Sequence, residues 1–369
     1  MSTRRSSRLR TATVQDSTLP AVAPTKSVKG GKKRKSTTKD EDKPTVGSKD
    51  VEPSTPKRKR VAKRPSSSPE APTPAVTKLL SMYHGPGEVN IVIRPPVVNR
   101  LAVPNGTNAQ LVSPETRRLV SNKPLDQVSP SKKPNGTTTT KNILDAALEH
   151  LIQVEPKLKP VIEKHPCNVF SEEGLAEVVD PFSSLVSGII SQQVSGAAAK
   201  SIKAKFVALF NEGEDASSHG FPTPSMVCAM SNEALHSAGL SKRKAEYIKG
   251  LAQKFHDEEL TTDMLFSASY EEVLEALTKV RGLGKWSVEM FACFGLKRMD
   301  VFSTGDLGVQ RGMAALAGRD VAKLKKGKHK FKFMAEKEME ETAEKFKPYR
   351  SVYMWYCWRV EDVDISAFD

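Results

Sequence analysis

The chain has 369 residues, a formal net charge of +14 and 38% hydrophobic residues, enough for one or two domains with a substantial core. The charge is uneven: residues 1–78 carry net +13, 79–140 net +4 and 141–369 net −3, so any nucleic-acid contact by the C-terminal part must come from a local patch rather than an overall field. No apolar run reaches the roughly 18 residues that span a bilayer, and the four cysteines (Cys167, Cys228, Cys293, Cys357) have no metal-ligand spacing, which excludes zinc and iron–sulfur sites and reads as free buried thiols.

In chain order, residues 1–78 are Lys, Arg, Ser, Thr and Pro with almost no aromatic side chain. Such a segment buries too little apolar surface to offset its ordering entropy, so a disordered basic tail is expected. Its clusters at 32–35 and 57–60 have the composition of a nuclear import signal or of a non-specific phosphate binder. The predicted location is the nucleus. Residues 79–140 read as a linker, in which 90–94 has the character of a short docking strand stopped by Pro95-Pro96.

From about 141 to 369 the periodicity is helical, and an all-α domain is predicted. Asn142 stands as a cap before Ile143, Leu144, Ala147 and Leu151. Pro181-Phe182 opens a second helix with Leu185, Ile189 and Ile190 on one face. Further helices fit 200–210, 231–238, 242–255, 270–280, 285–296, 307–317 and 349–360, with Pro348 in the first turn of the last. The basic run 323–332 reads as a surface insertion before an acidic helix with Glu336, Glu338, Glu340 and Glu341.

The most informative stretch is Val280-Arg281-Gly282-Leu283-Gly284-Lys285-Trp286 with Asp306 beyond it. Two glycines one residue apart, between two helices, permit positive φ and close backbone approach. The amides of Gly282, Leu283 and Gly284, with those opening the next helix, can converge on one phosphate oxygen, aided by the helix dipole and by Lys285. Such contacts position DNA without reading its sequence. The hairpin carbonyls could also hold a monovalent cation. A tight turn using glycine for geometry alone is the plain alternative. Asp306 begins a helix, where a cap is worth about 1 kcal/mol.

Three segments together resemble the helix-hairpin-helix DNA glycosylase superfamily, nearest its AlkA-type 3-methyladenine branch, with fungal and bacterial members. They run from Pro181-Phe182 to Gln192-Gln193-Val194-Ser195, from Val280 to Phe291, and from Met299 to Asp306. The resemblance covers residues 142–361. It implies two helical lobes around a cleft and makes Asp306 the catalytic carboxylate. It implies a base pocket from Trp286, Met290, Trp358 and Phe182, and a duplex plug among Gln192, Gln193 and Ser195. The bacterial branch has leucine at Gln193 and tyrosine at Met290. For Tyr353, Trp355 and Tyr356, core packing is expected. Bifunctional relatives carry a lysine nucleophile where this chain has Trp286, which implies a monofunctional enzyme that needs no cofactor. The implied partner is double-stranded DNA containing alkylated bases, with no membrane role and a monomeric state. Alkylated purines are cationic and good leaving groups, so one carboxylate can suffice. A non-catalytic DNA-binding module and a bifunctional glycosylase/lyase are the competing readings.

Overall fold

The computed structural model describes residues 97–128, 138–211, 213, 219–327 and 330–362, all within the compact unit 68–369. The predicted tail and the 90–94 strand lie outside the described residues. The fold is helical with one small sheet. The sheet joins β1 (Gln110–Val112), antiparallel to β2 (Leu119–Val120) and parallel to β3 (Val178–Val179).

This sheet corrects the linker assignment for residues 97–128. Ala102, Ala109 and Leu111 are buried. The buried Arg100 donates from Nη2 to the carbonyls of Leu175 (2.6 Å) and Asn108 (3.3 Å). The amides of Asn108 and Ala109 both donate to the Leu296 carbonyl. Strands of two or three residues, one of whose partners lies far along the chain, leave no period in the sequence to detect.

The helices are α1 (Ile143–Val154), α2 (Leu158–Lys164), α3 (Glu172–Ala176), α4 (Pro181–Ser191), α5 (Gly196–Ala208), α6 (Pro224–Ala229), α7 (Asn232–Ser237) and α8 (Lys242–His256). They continue as α9 (Thr262–Ser267), α10 (Tyr270–Thr278), α11 (Lys285–Met290), α12 (Leu307–Leu316), α13 (Val321–Leu324), α14 (Glu336–Glu344) and α15 (Arg350–Cys357). Their starts are set largely by side-chain caps. Asp180, Ser195, Thr223, Ser231, Ser241, Thr261, Ser269 and Asp306 each accept from the backbone N–H of the third residue of the helix they open. Ser269 and Glu272 complete a reciprocal capping box.

Two predicted helices end differently. The one expected over 285–296 changes to a π turn at Phe291–Gly295. Gly295 lies against the Phe291 ring, where a Cβ would stand 2.7 Å from Cδ2, so close packing accompanies the wider turn. Pro348 precedes the last helix instead of entering its first turn: Lys347–Pro348 is cis and Tyr349 occupies the cap.

The core has two clusters, one per lobe. One joins α1 and α2 to residues of α12, α14 and α15, through Ile143, Leu151, Met313, Met339 and Tyr353. The other packs α4 to α10 around Phe182, Phe206, Ile248, Leu251, Leu265 and Leu277. The α11–π segment belongs to both: Met290 and Phe294 face the first, Val288 and Phe291 the second. This segment carries the hairpin's exit and Trp286.

Candidate active site

Asp306 caps α12, accepting from the Val309 amide at Oδ1 (2.9 Å). Its carboxylate is also held by two indoles. Trp358 Nε1 donates to Oδ1 (2.8 Å) and Trp286 Nε1 donates to Oδ2 (2.9 Å). The cap and the predicted catalytic position are therefore the same side chain. Asp306 is 6% exposed, with Trp358 buried, Trp286 half-buried and Leu307 exposed beside it. An ionised carboxylate offers about four acceptor sites, and the Val309 amide and the two indoles take three of them.

Trp286 on α11 and Trp358 after α15 thus both reach Asp306. Of the other two predicted pocket residues, Met290 shares the first cluster with Trp358 and Trp286, and Phe182 does not. Met290 is fully buried in the first cluster. Phe182 lies in the second cluster, edge-on to Phe221 and Phe255, so it is a core residue. Tyr353, Trp355 and Tyr356 are buried in the first cluster, as expected.

The hairpin takes the predicted turn. Gly282 has φ +100 and packs on Tyr247, while Gly284 caps α11 with no side-chain cap. The first amides of α11, those of Lys285 and Trp286, are donors that helix geometry leaves without an intrahelical acceptor. Leu283 differs from expectation: its amide donates to Val280 O within the turn and its side chain is buried. The Lys285 ammonium is 67% exposed. In the hairpin, Val280 O accepts from the Leu283 amide and Gly282 O accepts from Gln192 Nε2 (2.9 Å). Among the described residues no group of three or more His, Cys, Asp or Glu could hold a metal, and no helix is long and apolar enough to cross a membrane.

The three plug candidates separate by geometry. Gln192 is committed to Gly282 and Ser195 to capping α5. Gln193 is exposed at φ +57, at the tip of the loop. Lys244, which the sequence reading missed, donates from Nζ to Ile190 O and Gln192 O, both at 2.7 Å, and so pins the base of that loop. Glu289 was missed as well. It is buried on α11, accepts from Ser303 Oγ (2.5 Å) and lies 3.8 Å from Lys285 Nζ. Its spacing from Lys285, one helical turn, was the available signal.

Residues 186–341 match the model of the HhH-GPD superfamily base excision DNA repair proteins. DNA-3-methyladenine glycosylase of Saccharomyces cerevisiae is 34% identical over 281 residues, covering 69% of this chain and 90% of that protein. DNA-3-methyladenine glycosylase 1 of Schizosaccharomyces pombe is 30% identical over 184 residues, covering 50% of this chain and 73% of that one. A solved S. pombe 3-methyladenine DNA glycosylase in complex with abasic DNA aligns with TM-score 0.45 and 24% identity, covering 60% and 98% of the two chains. The chain belongs to the HhH-GPD superfamily of base excision DNA repair proteins.

Proposed function

We propose that the protein is a monofunctional DNA glycosylase that flips alkylated purines, of the 3-methyladenine and 7-methylguanine class, out of double-stranded DNA and hydrolyses the N-glycosidic bond to leave an abasic site. The observation that carries this is the Asp306 carboxylate held between the indole N–H groups of Trp286 and Trp358. It puts one fixed negative charge at the N–H edges of two indole rings.

The chemistry follows from that placement. A cationic purine stacks on aromatic faces with a cation–π contribution of about 0.5–2 kcal/mol. Its departure leaves an oxocarbenium-like sugar, which Asp306 stabilises at a site where no reorganisation is needed. The remaining acceptor site on the carboxylate orients the attacking water. The amides that open α11, those of Lys285 and Trp286, and the Lys285 ammonium hold a phosphate beside the flipped nucleotide. Gln193 enters the duplex gap. A lyase step has no amine in place, because Trp286 sits on Asp306 and Lys285 Nζ faces Glu289. DNA is the partner; a monomeric state and nuclear import through the basic clusters complete the proposal.

Base release from methylated duplex, resolved by chromatography, tests the reading. Asp306→Asn is expected to lose about 10²–10⁴-fold in rate while still binding DNA. Undiminished release would remove Asp306 from the mechanism, and a wild-type chain that binds DNA but releases nothing would favour a binding module. A borohydride-trapped covalent adduct would establish the lyase instead.

A further inference from the structure

The site contains a second carboxylate that the one-carboxylate mechanism does not use. Glu289 is 2% exposed, one helical turn from both Lys285 and Trp286. The groups facing it are Lys285 on its own helix, Ser303 on the loop that leads to Asp306, Asp306 itself at the start of α12, and Tyr270 on α10. Of these only Lys285 is cationic. Ser303 is fully buried, and its amide donates to Met354 Sδ (3.2 Å), so the Glu289–Ser303 bond helps fix the loop that aims Asp306.

We propose that Glu289 is a positioning residue that couples the hairpin's hold on a DNA phosphate to the Asp306 loop, taking up a proton from solvent when Lys285 is drawn to the phosphate. The inference rests on the function proposed above, in which Lys285 contacts DNA. A phosphate arriving at Lys285 withdraws the single positive charge beside Glu289 and adds a negative one. Both changes favour the protonated carboxyl. Burial already pushes the Glu289 carboxyl up from its ordinary range, with Asp306 adding to the rise and Ser303 and Lys285 opposing it. The protonated form keeps its hydrogen bond to Ser303, so the loop stays in place. It also leaves Asp306 as the one carboxylate facing the cationic sugar, where two neighbouring anions would repel.

The sign is definite. DNA binding raises the proton affinity of Glu289, so between its free and bound titration ranges affinity falls as pH rises, with a limiting slope of about one decade in Kd per pH unit. The test is calorimetric titration of the full chain with a duplex carrying a tetrahydrofuran abasic analogue, in two buffers of different ionisation enthalpy across a pH series. Wild type is expected to take up protons on binding. Glu289→Gln, neutral and nearly isosteric, is expected to bind with that uptake and the pH slope lost. Lys285→Met, a change at an exposed position, is expected to bind more weakly and also lose the uptake. Uptake by Glu289→Gln or Lys285→Met equal to wild type overturns the coupling. So does wild-type binding with no uptake, which leaves the glycosylase reading intact. Absence of both duplex binding and base release overturns the glycosylase reading and the coupling with it.

Discussion

Gly308 lies against the indole of Trp358: a Cβ on it would stand 2.4 Å from Trp358 Cδ1 and 2.9 Å from Nε1, the atom that donates to Asp306. The first turn of α12 is therefore shaped to admit the ring that holds the carboxylate. Gly308→Ala is expected to push the indole off Asp306 and slow single-turnover base release about 10–100-fold, since displacements on the order of 1 Å have that effect. Circular dichroism should show the helical fold retained. A wild-type rate would mean that the Trp358 contact does not matter to the reaction.

The two hairpin glycines are expected to differ in what they contribute to stability. Gly282 needs its φ of +100, and a Cβ would stand 2.4 Å from the Tyr247 ring. Gly282→Ala should cost about 1–3 kcal/mol of stability and weaken DNA binding. At Gly284 a Cβ meets nothing within 4 Å, so Gly284→Ala should melt within about 0.5 kcal/mol of wild type. It should still bind DNA less well, because the added methyl faces the phosphate. Equal binding by Gly284→Ala and wild type would place the phosphate elsewhere.

Much of this was legible in the sequence. The helices with side-chain caps and a regular apolar stripe were read correctly, as α8 and α10 show, with Ser241 and Ser269 at their starts. The juxtaposition of Asp306 with Trp286 and Trp358 came from the resemblance, and the structure adds the two hydrogen bonds. Phe182 was misplaced because an aromatic next to a motif carries no sign of which face of the helix it occupies. The sheet at 110–112 was missed because its stabilising contacts, such as Arg100 with the Leu175 carbonyl, are made far along the chain. Lys244 was missed for a related reason: a lysine that binds carbonyls looks like any surface lysine until the fold closes.

The plug loop gives a graded prediction. Gln193→Ala should slow base flipping, followed by 2-aminopurine fluorescence beside the lesion, with the melting temperature unchanged. Lys244→Met should slow flipping and also lower the melting temperature, because it frees the carbonyls of Ile190 and Gln192. If Gln192→Ala slows flipping more than Gln193→Ala at equal stability, the inserting residue is Gln192.

Asp180 predicts a pH dependence of stability. Burial raises its carboxyl from 3.8 to about 6, against opposing hydrogen bonds from Ser183 and Phe182 and the Arg117 charge. The folded state therefore holds a proton that the unfolded chain releases, and stability falls as pH rises from about 4 to about 6. The loss through this one group should be on the order of 2–3 kcal/mol. Denaturant titrations across that range should show the trend in wild type and its loss in Asp180→Asn, which can still accept the Ser183 amide. An unchanged slope in Asp180→Asn would assign the effect to another group.

The division of the core has a consequence for how the chain is made. The lobe of α4 to α10 draws its remaining core residues, among them Ala109, Leu111, Val288, Phe291 and Leu296, from at or before position 296, so it can condense once the chain has been made to that point. The other lobe joins α1 and α2 to α12, α14 and α15 and must wait for the C-terminal residues. Asp306 emerges before Trp358, the last of its three donors, so the carboxylate lacks that donor until α15 and Trp358 have been made. A ribosome that stalls short of α15 would release a molecule with its hairpin formed and its carboxylate loose, able to grip DNA but not to cut a base from it.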